Sequence, residues 1–166
     1  MTDQPTRTLP LAFWARDIET DNSEGFGLDP TKAQVISIAL INNRGKVWYQ
    51  SARTEEDEFV LLSNFRDFLL LGVCDGLITT WNGGAFDWPF LTTRCRHHRI
   101  PMAWQLDLRD NRKPKYDALT GYDGVYSVLL STGAKHLDMA YVMDRLWCEE
   151  RGIKWSLKPV AEHLAF

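Results

Sequence analysis

Asp17 and Glu19 are separated by one residue, and the apolar run before them (Leu11, Ala12, Phe13, Trp14, Ala15) reads as a strand. Side chains at i and i+2 of a strand share a face, so the two carboxylates converge on one point in space. Like charges gathered at the mouth of an apolar strand repel each other and cost free energy to bury unpaired. A divalent cation removes that cost, and hard oxygen donors of this kind suit Mg²⁺ or Mn²⁺. The chemistry open to such a pair is metal-assisted phosphoryl transfer. Taken alone, an Asp-x-Glu is also an ordinary surface feature of a strand end, so its meaning depends on what accompanies it.

A second constellation follows in residues 80–91, where Thr80-Trp81-Asn82-Gly83-Gly84-Ala85-Phe86-Asp87 leads into Trp88-Pro89-Phe90-Leu91. A strand ending at Trp81, two glycines that permit a tight loop, and a helix opened with the help of Pro89 would put Asp87 at a strand–loop–helix junction. The carboxyl ends of strands are where α/β sheets place ligands. Singly, Asp87 could be a helix N-cap and Asn82 a turn residue. Together, and downstream of an Asp-x-Glu strand, they are far more specific.

These residues need elements to position them. Strands are expected over residues 11–16, 34–42 and 46–51, with Asn43-Arg44-Gly45 as a hairpin turn between the second and third. Residues 55–71 carry a helical pattern in Phe59, Leu62, Phe65 and Leu69. Thr54 is placed to cap that helix, and the acidic run Glu55-Glu56-Asp57-Glu58 suits its positive end. Residues 76–81 read as a strand, and 89–98, 135–150 and 159–164 as helices. Residues 107–115, polar and mixed in sign, read as an exposed loop. The outcome is an α/β domain over residues 11–166, behind a flexible segment at residues 1–10: a three-strand meander plus further strands, flanked by helices.

Composition narrows the class. A net charge of −3 argues against a protein that coats DNA by charge alone, yet leaves room for an enzyme whose bound cations invert the local sign. Cys74, Cys95 and Cys148 lack metal-site spacing and read as thiols of a reducing compartment. No export signal and no membrane-spanning stretch is visible, so a cytoplasmic protein without membrane contact is expected. His97-His98 beside Arg94, Arg96 and Arg99 could touch a phosphate backbone, or form the solvated end of a helix.

With both constellations in view, the chain resembles the DEDD superfamily of 3′→5′ exonucleases, and within it the proofreading domain of family B DNA polymerases. Asp17-Ile18-Glu19-Thr20 matches the first exonuclease motif, and Asn82-Gly83-x-x-Phe86-Asp87 the second. The stretches His136-Leu137-Asp138-Met139 and residues 156–164 are similar to later parts of such domains. The resemblance implies a ribonuclease-H-like mixed sheet and release of nucleotides from single-stranded 3′ ends, with DNA favoured over RNA. Two Mg²⁺ or Mn²⁺ ions, about 3.5–4 Å apart, would clamp the scissile phosphate. By the match, Asp17 would bridge both ions, Glu19 would hold one and Asp87 would help hold the other. Thr20, Asn82 and Phe86 would contact the terminal nucleotides, although Phe86 could equally be a core residue. Asp138 is a further candidate, and a helix cap or core polar contact is its other reading.

Two departures stand out. The family's third motif, Tyr-x-x-x-Asp or His-x-x-x-x-Asp on a late helix, is not found; Tyr141-Val142-Met143-Asp144 is one residue too short, and Phe166 falls where the helix before that motif would run. The resemblance therefore implies a C-terminally truncated domain. Arg16 occupies a place where relatives carry an apolar residue, and could pair with an acidic neighbour or reach for phosphate. Two other functions stay open: a catalytically weak or inactive nucleic-acid-binding module, or a subunit docking onto a polymerase, helicase or other replication or repair partner.

Overall fold

A computed structural model of the chain describes residues 12–23, 25, 29–73, 76–110, 124–143 and 145–164. The segment 1–10, Cys74, residues 111–115, Asp144 and Phe166 lie outside the described residues. The chain runs β1 (Phe13–Thr20), β2 (Val35–Asn42), β3 (Val47–Ser51), α1 (Glu55–Gly72), β4 (Leu77–Thr80) and α2 (Asp87–His97). It continues through β5 (Trp104–Asp110), β6 (Val125–Leu130), β7 (Lys135–Asp138), α3 (Met139–Val142), α4 (Arg145–Glu150) and α5 (Leu157–His163). The strands form one seven-stranded sheet in the order β3-β2-β1-β4-β7-β6-β5. β1, β2 and β3 make the antiparallel meander; β4 joins β1 in parallel, and β7 joins β4 in parallel. No helix among the described residues is long and apolar enough to cross a membrane.

Burial alternates along β1. Trp14, Arg16 and Ile18 are buried, whereas Phe13, Ala15, Asp17 and Glu19 are exposed. The buried side meets α1 and α2 in a core built from Ile38, Leu40, Leu62, Phe65, Trp88 and Trp104. The sheet's two faces thus have distinct chemistry, one a packed core and the other presenting the Asp-x-Glu carboxylates.

α1 begins as its sequence requires. Thr54 closes a capping box with Asp57, whose N–H donates to Thr54 Oγ1 at 3.1 Å. Three turns of this helix bury Glu58, Leu61, Leu62, Phe65 and Leu69. Phe59, expected inside, is 48% exposed, because the buried stripe runs through Glu58 and Leu61 instead. The fourth acidic residue of the run is therefore a core group rather than a solvated one. Glu58 accepts hydrogen bonds from Arg94 Nε at 2.9 Å, from the Val35 N–H at 2.8 Å and from His98 Nε2 at 2.8 Å. Burial alone would raise its pKa, but the bonds from Arg94, His98 and Val35 outweigh burial and hold it below the ordinary value. Arg94, read from sequence as part of a solvated helix end, is in fact buried with it.

The second half departs from expectation. Residues 135–150 are not one helix: Lys135–Asp138 forms β7, in parallel register with Leu77–Thr80, and two short helices follow. Gly133, at φ +84°, closes the β6–β7 turn with its N–H bonded to the Leu130 carbonyl. Residues 107–110, expected in a loop, belong to β5, which pairs with β6 through Trp104↔Leu130 to Asp110↔Val125. Strand pairing across a long sequence gap leaves no local periodicity to read. β1 also extends to Thr20, so the two motif carboxylates lie within the strand and not beyond its end.

Because Glu58 joins α1, α2 and β2 through one carboxylate, Glu58→Ala should leave the Arg94 guanidinium buried and unpaired, at a cost of about 3–5 kcal/mol. Urea unfolding midpoints check this, with Phe59→Ala on the exposed side of the same helix costing under about 1 kcal/mol.

Candidate active site

β1 presents Asp17 and Glu19 on its exposed side, two residues apart, opposite Ala39 and Ser37 of β2. Regular pairing breaks between Glu19 and Thr20, a β-bulge of the kind that re-aims side chains beside functional sites. Among the described residues neither carboxylate takes a hydrogen bond or an ion pair. Asp17 also lines a groove of about 360 Å³ with Ala15, Ile41, Trp81, Met139 and Leu157. Trp81 and Trp155 stand together at this side, ring centroids 6.2 Å apart.

The loop after β4 is held by backbone. Asn82 adopts φ 60°, a left-handed conformation that asparagine tolerates better than most residues. Its carbonyl accepts from the N–H groups of Ala85 and Phe86, each at 3.1 Å. Gly83 could not carry a side chain, since a Cβ there would lie 2.2 Å from Thr80 Oγ1. At Gly84 a Cβ would meet the Tyr126 carbonyl oxygen at 2.5 Å. Asp138, at the end of β7, anchors the same loop: its Oδ1 accepts from the Asn82 N–H at 2.7 Å and its Oδ2 from the Gly84 N–H at 2.9 Å. The Ala140 N–H adds a third bond, so Asp138 also caps α3. Phe86 packs against the core with its ring 5.5 Å from that of Phe90.

Asp87 opens α2 but does not cap it. The carboxylate is buried, 6% exposed, and accepts from Arg16 Nη2 at 3.0 Å. Arg16 reaches it from the core side of β1 and lies over the Trp88 ring, with Cζ 4.0 Å from the centroid. Its Nε and Nη1 make no hydrogen bond among the described residues. Burial pushes the Asp87 carboxyl up to about 6; the Arg16 charge opposes this, while Asp17 and Asp138 add to it. Burial likewise raises Asp138 against the pull of its backbone donors. His136 shares a 2.8 Å hydrogen bond with Thr80 Oγ1, and burial, followed by the Arg16 charge, lowers it to about 3. It is therefore a neutral imidazole at pH 7.

The donor set divides into two. Asp17 and Glu19, exposed, adjacent and without protein donors, fit a hard divalent cation. Asp87 does not fit one as it stands, because the guanidinium occupies it. Asp138 is similarly committed, to three N–H groups. The sequence pointed to Asp17, Glu19, Asp87 and Asp138; Asp17 and Asp138 lie near enough to act on the Asp87 carboxyl, but among the described residues these four do not come together as one cluster of metal-ligand atoms. What the sequence did not reveal was the contact between His136 and Thr80, because it depends on the β4–β7 pairing.

Comparison with known proteins bears on this arrangement. A family model described as DNA polymerase family B, exonuclease domain, matches residues 41–160. That span includes the Asn82–Asp87 loop and Asp138, and begins after β1. No curated protein matches the chain. Among solved structures, the family B DNA polymerase from the hyperthermophilic archaeon Pyrobaculum calidifontis superposes with a TM-score of 0.60 at 23% identity, covering 88% of this chain. The match spans 19% of that polymerase, and the shared fold is the ribonuclease-H-like α/β sheet.

The raised Asp87 carboxyl has a pH signature. Between its ordinary value of 3.8 and about 6, the native state keeps a proton that the unfolded chain has released. The contribution of this group to stability therefore falls as pH rises through that window and is constant above it. Urea unfolding of the wild type and Asp87→Asn from pH 4 to 8 should show the wild-type-minus-variant difference falling as pH rises from 4 to about 6 and constant above that. A flat difference would mean that Arg16 keeps the carboxylate ionised throughout.

Proposed function

Since this chain belongs to the exonuclease-domain family of family B DNA polymerases, we propose that it is a 3′→5′ exonuclease acting on single-stranded nucleic acid ends, DNA in preference to RNA. Exonuclease domains of this family depend on divalent metal. The observation that carries the reading is the pair Asp17 and Glu19 on the open face of β1, with Asp17 bordering a groove. Mg²⁺ or Mn²⁺ ions bound there would supply an acidified water and neutralise charge on the departing 3′ oxygen.

The chain's own groups have separable tasks in this proposal. Asp17 and Glu19 hold the cation and, through it, fix the phosphate. Trp81, half-buried along the groove, offers an aromatic face on which a terminal base can stack. Thr20, next to Glu19 at the bulge, and Asn82, in the loop after β4, contact the last nucleotides, and Phe86 stiffens the loop from the core side. Asp87 contributes only when Arg16 lets it go. His136, bonded to Thr80, stays neutral near pH 7 and takes no part as an acid.

A second reading, a nucleic-acid-binding or partner-docking module with little or no turnover, draws on one specific observation. The buried Arg16–Asp87 bond uses up a carboxylate that two-ion catalysis would need. The two readings differ in measurable ways. For the exonuclease, a 5′-labelled single-stranded oligonucleotide with Mn²⁺ should shorten stepwise from its 3′ end. Asp17→Ala should then slow this by roughly a thousandfold or more. Retained oligonucleotide binding with no ladder would establish the second reading instead. Arg16→Met should tighten Mn²⁺ binding by about tenfold or more, since one positive charge within reach of the ion opposes it by over 1.4 kcal/mol at an effective dielectric near 20. Isothermal titration of the two proteins checks that step.

A further inference from the structure

Away from the β1 carboxylates, at the opposite end of α2, one oxygen of Glu55 and one nitrogen each of His97 and His98 lie within 4.8 Å of one another. We propose that these three residues form a binding site for a borderline divalent cation of the Zn²⁺ class, clipping the start of α1 to the end of α2. This inference is independent of the exonuclease reading.

Ligand chemistry selects the ion. Two imidazoles and one carboxylate suit Zn²⁺, Co²⁺ or Ni²⁺ and are poor partners for Mg²⁺, which prefers oxygen and water. Three protein ligands leave a fourth tetrahedral position open to water. Bonds of about 2.0–2.2 Å require tetrahedral edges of roughly 3.3–3.5 Å, and the donors here bracket that range. Glu55 Oε1 and His97 Nε2 are 2.6 Å apart, and no pair exceeds 4.8 Å. Reaching the bound geometry takes shifts on the order of 1 Å in side chains that are about half exposed, 49% for His97 and 55% for Glu55.

His98 is the preorganised member. Its side chain is 8% exposed, and its Nε2 is held by buried Glu58 at 2.8 Å. A carboxylate accepting from Nε2 leaves the lone pair on Nδ1, and in this proposal Nδ1 is the atom His98 offers to the ion, the outer-shell carboxylate orienting the ring and making it more basic. The two rings stand perpendicular with centroids 4.9 Å apart. Charge is balanced: Arg94, which acts on Glu55, is paired with Glu58, and Glu56 and Asp57 in the first turn of α1 offset Arg96 in the last turn of α2. The Glu55–His97 hydrogen bond that a cation would replace is a surface contact of little energy.

The test uses the full chain stripped of metal, titrated with Zn²⁺ against a chromophoric chelator and, in parallel, with Co²⁺ followed by visible absorption. The expected result is one tight equivalent, not displaced by millimolar Mg²⁺, with the absorption of tetrahedral Co²⁺ bound to nitrogen. Affinity should fall at least about tenfold in His97→Gln and in Glu55→Gln, and stay unchanged in the Asp17→Asn/Glu19→Gln double variant. Zn²⁺ at a hundred times its dissociation constant should raise Tm by about 5–10 °C in the wild type and not in His97→Gln. No binding in the wild type, or binding lost with Asp17 and Glu19 but kept without His97, would overturn the proposal. Neither outcome bears on nuclease activity, which the oligonucleotide ladder reports separately.

Discussion

The bond between Arg16 and Asp87 is the constraint on which the candidate site depends. It crosses from the core side of β1 to the first turn of α2, linking residues 71 apart in sequence. A buried guanidinium and carboxylate are each costly alone. Together, over the Trp88 ring, they fix how α2 docks against the strand that carries Asp17 and Glu19. The same bond also sets the charge of the site. Three aspartates, Asp17, Asp87 and Asp138, act on this one guanidinium. Two of them are buried, and both have pKa values raised chiefly by burial. The arrangement sets three carboxyl groups against one guanidinium, so positive charge is the scarcer kind here.

Three carboxylates of one type thus serve three purposes, and their environments decide which. Asp138 has both oxygens committed to backbone donors, so it works as architecture, tying the end of β7 to the Asn82–Gly84 loop. Gly83 and Gly84 belong to the same construction, because Thr80 and the Tyr126 carbonyl approach too closely for any side chain. Asp87 neutralises an internal cation. Asp17, with Glu19, keeps its oxygens for whatever comes from solvent. Residue type is the same in all three; the difference lies in how many donors surround each.

That difference explains what the sequence could and could not disclose. The meander, the capped α1, the β4–loop–α2 junction and the carboxylates themselves were legible because their signals are local: period-two and period-four patterns, Thr54 with Asp57, glycines beside an aspartate. Residues 135–138 were misread as helix because their strand identity comes from pairing with β4, more than fifty residues away. β5 failed for the same reason, its partner β6 lying beyond a long intervening stretch. Glu58 and Arg94 looked like solvated charges, since nothing local marks a charged residue as buried when its partner sits on another helix. Arg16 was visible as an oddity, and its partner could not be chosen without the fold.

α2 connects these observations. Its first residue, Asp87, is held by Arg16; Arg94, two turns later, is held by Glu58; and its end carries His97 and His98 against α1. A helix held by buried contacts to Arg16 at its start, to Glu58 through Arg94 two turns later and to Glu58 through His98 at its end moves as a unit or not at all. Freeing Asp87 from its internal cation therefore has to come from Arg16 changing rotamer, and not from α2 sliding. Arg16 can do so only by leaving the Trp88 face and giving up its one hydrogen bond. The ease of that single side-chain movement sets whether the Asp87 carboxylate is available to anything other than Arg16.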